Sequence, residues 1–307
     1  MGRSVLLALV LVAAIPTVAH AWTPGTHIML GEAVLRAADT LPAALAALLR
    51  SHPWDFLYGS IAADTSMAKK YARFGRHCHS WTVGFEILQT ARPEPLQAFA
   101  WGYLAHLAAD VVAHNYFVPY QLAVTSSTTT LGHSYWESRF ETHLSDRYPR
   151  RAVEVIQLDH GASDAHLDRV LSPTIFSTRT NRRIFRGMVR ATDNAGWQRV
   201  FAMVAANSRW DLRDAVIAAH VAHSYDYVMD FLAREAGSVA YTYDPAGERA
   251  LREAKRIRRA TRRVRPGRGD ALLDDARARF GLPATELRYA ATAPGPLYLP
   301  APRSPTS

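Results

Sequence analysis

The sequence predicts an all-α fold, and three observations lead there. Apolar residues recur at three- and four-residue intervals along almost the whole chain. Runs that alternate with a period of two between hairpin turns are absent. Prolines, glycines and one Ser/Thr loop divide the pattern into segments of helical length. With 307 residues, 49% of them hydrophobic, the chain can bury a sizeable core.

Residues 1–21 read as a secretory signal peptide: Arg3 supplies a positive charge, "VLLALVLVAAIPTVA" an apolar run, and Ala19-His20-Ala21 a small-x-small cleavage site. The mature chain is then expected to begin at Trp22 and to be secreted or periplasmic. No later run is apolar and long enough to span a bilayer. Pro24 and Gly25 precede the first helical pattern, "HIMLGEAVLRAA", and "LPAALAALLR" ends at His52-Pro53. The apolar run "FLYGSIAAD" ends on Asp64, and Pro93 and Pro95 introduce "PLQAFAWGYLAHLAADVVAH". Beyond the loop "TSSTTTLG" at 125–132 come "HSYWESRFETHL" and, after joints at Pro173 and Gly196, "RDAVIAAHVAHSYDYVMDFLAREA". The expected domain runs over 22–244, with a basic helical extension over 245–290 and a Pro-rich flexible tail over 291–307. Cys78 is the only cysteine, so stability must come from packing or metal rather than from a disulfide within the chain.

The net charge of +9 sits almost entirely in residues 248–268, where ten Lys or Arg face two Glu; Arg3 supplies the remaining +1. A solvated basic helix is the plain reading. Attraction to anionic phospholipid headgroups is the sharper one, and nucleic acid comes third.

The chemistry concentrates elsewhere. In "AHLAADVVAHNYF", residues 105–117, His106, Asp110 and His114 stand four apart in an apolar segment. A four-residue step turns an α-helix by about 400°, so the three side chains drift slowly around one face. Burying imidazoles and a carboxylate is costly unless they are hydrogen-bonded, paired or bound to metal. His133 and Glu137 form a second four-residue pair just past the Ser/Thr loop, and antiparallel packing of the two helices would face both stripes into one cavity. Upstream, Asp64, His77, His79 and His27 add ligand types, although each alone also suits a cap, a surface residue or a core histidine. His220 and His223 are read as core or supporting groups, and Cys78 as a bystander.

Together these motifs resemble the zinc-dependent phospholipase C family and, more broadly, its relatives among single-strand-specific secreted nucleases. The resemblance runs from Trp22 to about Glu137 in motifs, and a signal cleaved before Trp is its most distinctive element. It implies an all-α fold and three zinc ions. One would be held by the amino group and carbonyl oxygen of Trp22 with His27, and Asp110 would bridge to a second. Asp64, His79, His106 and Asp110 would surround that second ion, with His77 as the fallback for His79; His114, His133 and Glu137 would hold the third. Asp64 is also the nearest candidate to orient the attacking water. Two departures stand out: His114 follows Asp110 sooner than in the best-known phospholipases, so the chain must turn differently there, and "WTPGTH" lacks the acidic residue that shapes the choline site in some members.

The function expected is hydrolysis of phospholipid, by a metal-activated water, to diacylglycerol and a phosphorylated headgroup. A secreted nuclease using the same metal site and a non-catalytic metal-binding bundle are the competing readings. Trp54, Phe56, Tyr58, Phe74, Trp81, Tyr116 and Phe117 suit either a substrate pocket or the core. Basic residues are scarce near the ligands, which favours lipid over a polyanion groove.

Overall fold

Among the described residues the chain is helical and contains no strand; its one β-type contact is an isolated antiparallel bridge between Leu144 and Pro300. The computed structural model describes residues 22–66, 77–125, 131–172, 176–192, 210–261 and 269–301, with scattered positions between 174 and 208. The expected signal peptide, Phe74, most of the Ser/Thr loop and the basic residues 262–268 lie outside the described residues.

The helices are α1 (Pro24–Arg36), α2 (Ala43–Ser51), α3 (Pro53–Ala62), α4 (Trp81–Thr90), α5 (Glu94–Val112), α6 (Val118–Val124) and α7 (Leu131–Glu141). They continue with α8 (Arg147–Gln157), α9 (Gly161–Val170), α10 (Thr178–Thr192), α11 (Asp214–Arg234), α12 (Glu248–Thr261) and α13 (Gly269–Phe280). Pro24 and Pro53 each occupy a first helical position, where a missing N–H costs nothing and a fixed φ favours the turn. None of the described helices is long and apolar enough to cross a membrane.

Helix α5 is the axis of the molecule. From Gly102 to Val112 every residue is buried, as expected of a helix apolar on all sides and enclosed by α1, α3, α4 and α11. Its closest neighbour is α3. A Cβ on Gly59 would lie 2.0 Å from the Phe99 carbonyl oxygen, and one on Gly102 would lie 2.0 Å from that of Phe56. The two backbones therefore touch at a reciprocal pair of glycines, and this crossing brings the end of α3, with Asp64, beside His106. Gly102→Ala is expected to force the helices apart at a cost of about 3 kcal/mol, read as a lower urea midpoint.

The C-terminal region departs from the expected picture of a basic extension with a flexible tail. Helices α12 and α13 pack on α6, so residue 244 marks a change of composition, not of packing. Residues up to 301 form a tied strap. Leu299 O accepts from Ser145 N (2.9 Å), Leu299 N donates to Tyr148 Oη (2.7 Å), Ala301 N donates to His143 O (2.9 Å) and Arg36 Nη2 donates to Pro296 O (3.0 Å). Proline-rich composition rules out regular structure, not main-chain hydrogen bonds to other elements.

Candidate metal centre

All eight expected side-chain ligands converge around α5. His27 comes from α1, Asp64 from a short 3₁₀ turn (Ala63–Thr65) after α3, His79 from the turn before α4, and His106 and Asp110 from α5 itself. His114 lies one turn beyond Asp110, and His133 and Glu137 lie on α7. None is more than 8% exposed.

Asp110 is the hub. Its Oδ1 lies 3.2 Å from His27 Nε2, and its Oδ2 lies 2.9 Å from His79 Nε2 and 3.1 Å from His106 Nε2. Asp64 Oδ1 completes the cluster, 3.3 Å from His79 Nε2 and 4.0 Å from His106 Nε2. Despite the short distances, His27 Nε2 and both Asp110 oxygens are buried without a hydrogen-bond partner. Burial alone would raise the Asp110 pKa, but His106, together with contacts to His27 and His79, outweighs it and holds the carboxyl well below its usual range. His27 is pushed down to about 4, first by burial and then by the neighbouring His106. At neutral pH this leaves an ionised carboxylate and a neutral imidazole, the states that bind metal.

Main-chain carbonyls set the histidine orientations. His106 Nδ1 donates to Ser60 O at 2.9 Å, which turns Nε2 toward Asp110 and keeps its lone pair for another partner. His106 Nε2 and His79 Nε2 face each other at 3.1 Å, a contact between ring nitrogens that a shared cation or proton relieves. His114 Nδ1 donates to Pro245 O at 2.6 Å, so this histidine is oriented from 131 residues away in sequence.

The early arrival of His114 is absorbed by the backbone. Residues Ala113–Phe117 form a π-helical turn between α5 and α6. Pro119 accounts for its position, since it lacks an N–H and its ring would press on the carbonyl four residues earlier. Instead of breaking after His114, the helix widens and continues to Val124. His114 then meets His133, with ring centroids 5.2 Å apart, and His133 Nε2 lies 2.7 Å from Glu137 Oε1.

Three sets have all their ligand atoms within 4.8 Å of one another: His27–Asp64–His106, His79–His106–Asp110, and His114–His133–Glu137. The first two share His106. The third matches the expected grouping, whereas the first joins His27 to Asp64, which the resemblance assigned to separate ions. His79, not the fallback His77, reaches the cluster. Trp22 is fully buried, its Nε1 donating to Ala109 O at 3.1 Å and its rings packed on Phe140 (4.2 Å) and Phe117 (5.3 Å). Its side chain thus pins residue 22 beside the end of α5.

Of the expected pocket aromatics, Phe56, Tyr58 and Phe117 are core residues, and Trp54 is 40% exposed. Cys78 is buried with its Sγ 3.2 Å from His79 Nδ1. His220 donates from Nδ1 to Val216 O, and His223 packs on Tyr227, so neither joins the three sets.

Three supporting residues carry little sequence signal. Pro245 contributes only a carbonyl. Gly247 has φ +57, and a Cβ there would lie 2.3 Å from His114 O. Glu141, one turn beyond Glu137, buries its carboxylate against Thr23 and Gly25 at the start of α1; burial raises its pKa to about 7, partly offset by hydrogen bonds from those two residues. The i, i+4 relation to Glu137 was its one legible mark.

The donor set suits zinc: five imidazoles and three carboxylates, no thiolate, imidazole tautomers set by carbonyls, and buried donor atoms lacking hydrogen bonds. The model of the family described as zinc dependent phospholipase C matches residues 26–181, a little over half of the chain. No curated protein and no solved structure matches. The match spans all eight convergent side chains while the props at Pro245 and Gly247 lie beyond it, and on this evidence the chain belongs to the zinc-dependent phospholipase C family.

Proposed function

We propose that the chain is an exported zinc-dependent phosphodiesterase that splits phospholipid into diacylglycerol and a phosphorylated headgroup. The observation that carries this reading is the contiguous line of eight buried nitrogen and oxygen ligands, in sets that meet at His106 and continue through His114. Zinc bound there supplies positive charge to a phosphodiester and lowers the pKa of a coordinated water.

The protein's own groups do the rest. His27, Asp64, His79, His106 and Asp110 would hold two ions at the centre, and Asp64 is the nearest candidate to orient the attacking water. His114, His133 and Glu137 would hold a third, which would supply positive charge to offset the negative charge growing on the departing oxygen. Their nearly complete burial excludes bulk water from the ligands, which strengthens every charge interaction within the site. The Trp22 nitrogen joins this set only after the preceding peptide bond is cut, because an amide nitrogen has no available lone pair for zinc.

The test compares protein beginning at Trp22 with protein carrying one extra Ala before it. Zinc content is measured for both, together with hydrolysis of phosphatidylcholine and of single-stranded DNA. The expected result is up to three zinc ions in the first form, fewer in the second, and diacylglycerol release faster than DNA cleavage. Equal zinc and equal turnover in both forms would remove Trp22 from the site. Faster DNA cleavage would favour the nuclease reading, and bound zinc with neither activity a binding protein.

A further inference from the structure

The four arginines Arg249, Arg252, Arg256 and Arg259 follow one another on α12 at intervals of three, four and three residues, and all are exposed. The opposite side of the helix is seated in the protein: Ala254 is 0% and Ile257 6% exposed, and Leu251 packs against the core. The helix therefore has one orientation, and it presents a straight stripe of guanidinium groups about one turn apart.

Only part of this charge is answered by neighbouring acids. Arg252 pairs with Glu248 at 3.0 Å, and Glu253 accepts from both Arg256 (2.6 Å) and Arg279 (2.9 Å). Among the described residues no ion pair is formed by Arg249 or Arg259. Arg252, Arg256 and Arg259 also border a hollow of about 300 Å³ together with Ala260. Ion pairs this exposed are worth little and exchange readily for another anion.

From this placement we infer that the α12 arginine stripe is a docking surface for an anionic phospholipid bilayer, seating the enzyme on a membrane through phosphate groups. The proposal rests on the phospholipid reading above for its purpose, though not for its chemistry. Guanidinium forks match phosphate oxygens two at a time, and a row of them matches a plane of headgroups. The apolar side of α12 is occupied by the core, so the contact is electrostatic rather than inserted and is screened by salt. A single-stranded nucleic acid is the poorer fit because α12 contains no aromatic residue on which a base could stack. The helix also begins one residue after Gly247, which touches His114, and it packs on the π-helical turn. Docking surface and third ligand set thus meet at the π-helical turn.

The test uses the full mature chain with zinc and three variants: Arg249→Gln/Arg259→Gln, which leaves the observed ion pairs intact, Arg252→Glu/Arg256→Glu/Arg259→Glu, and Arg50→Gln as a surface control. Co-sedimentation is measured with phosphatidylcholine vesicles with and without phosphatidylglycerol, at low and high salt. Single-stranded DNA binding and turnover of a soluble short-chain phosphatidylcholine are measured in parallel. The wild-type chain should bind vesicles containing phosphatidylglycerol and release them in high salt. At roughly five-fold per basic residue near the surface, the double Gln variant should bind about 25-fold more weakly and the triple Glu variant more weakly still. Soluble turnover and far-ultraviolet circular dichroism should be unchanged.

Vesicle binding equal in wild type and both stripe variants, or absent in the wild type, would overturn the proposal. Tighter binding to DNA than to vesicles, lost in the same variants, would assign the stripe to nucleic acid and overturn it too. Salt-sensitive vesicle binding without turnover of the soluble lipid would leave the docking surface standing and remove the phospholipase reading.

Discussion

Asp110→Asn is expected to empty the central part of the site while leaving the fold intact. Both Asp110 oxygens face imidazoles, with His27, His79 and His106 all 2.9–3.2 Å away. The amide has the same shape but lacks the negative charge that would offset two divalent ions, and its NH₂ offers donors where zinc needs an acceptor. Bound zinc should fall from three to about one per chain, with the remaining ion at His114, His133 and Glu137. Hydrolysis should drop by at least about 10²–10³-fold, the scale seen when one group that stabilises transition-state charge is removed. Without metal the variant should be somewhat less stable than the wild type at neutral pH, because the depressed pKa of Asp110 means that its ionised carboxylate, beside His106, stabilises the metal-free fold. Thermal unfolding separates these effects: a chelator should lower the wild-type Tm substantially and the variant Tm little. Unchanged zinc stoichiometry in the variant would remove Asp110 from the centre.

Gly247→Ala is expected to damage the third ligand set selectively from a position outside it. Gly247 has φ +57, and its missing Cβ would fall 2.3 Å from the oxygen and 2.5 Å from the Cβ of His114. Left-handed backbone and a clash against main chain act together, at a cost of about 1–3 kcal/mol in stability. Relief requires moving either the π-helical turn or residues 245–247, and either motion stretches the 2.6 Å hydrogen bond from His114 Nδ1 to Pro245 O. Loss of an orienting partner of this kind weakens metal affinity by about 10–100-fold. One zinc of three should therefore become easily chelated, with the central pair retained. Gly295→Ala is the control: it also has positive φ, at +144, but no atom lies within 4 Å of the Cβ position. If both substitutions release the same zinc, backbone strain alone is responsible and Gly247 is no prop for His114.

The ligand inventory was legible in the sequence because its chemistry is unusual there. A helix such as α5, apolar on every side, has no use for His106 and Asp110 as solvated groups, so their presence announces a buried partner. His133 and Glu137 became informative through the same four-residue spacing on a second helix. Asp64 and His79 were weaker, because an Asp after an apolar run also suits a cap, and His77 stood two residues away with equal claim. Helix spacing does not decide between those two histidines; the turn before α4 does, by aiming His79 at Asp110 (2.9 Å).

The sequence by itself determined the helical class, the residues able to bind metal and the concentration of positive charge after residue 248. These follow from periodicity and residue type, which are local properties of the chain. Tertiary structure alone decided how the ligands group, which carbonyls orient them and what the C-terminal region does. The Pro245 oxygen that orients His114, the Ser60 oxygen that orients His106 and the strap from 291 to 301 all act through main-chain atoms. Every residue has such a carbonyl, so no side-chain pattern marks the ones that matter. Only the packing of α3 on α5 and of the C-terminal segment on the π-helical turn brings them within hydrogen-bonding distance.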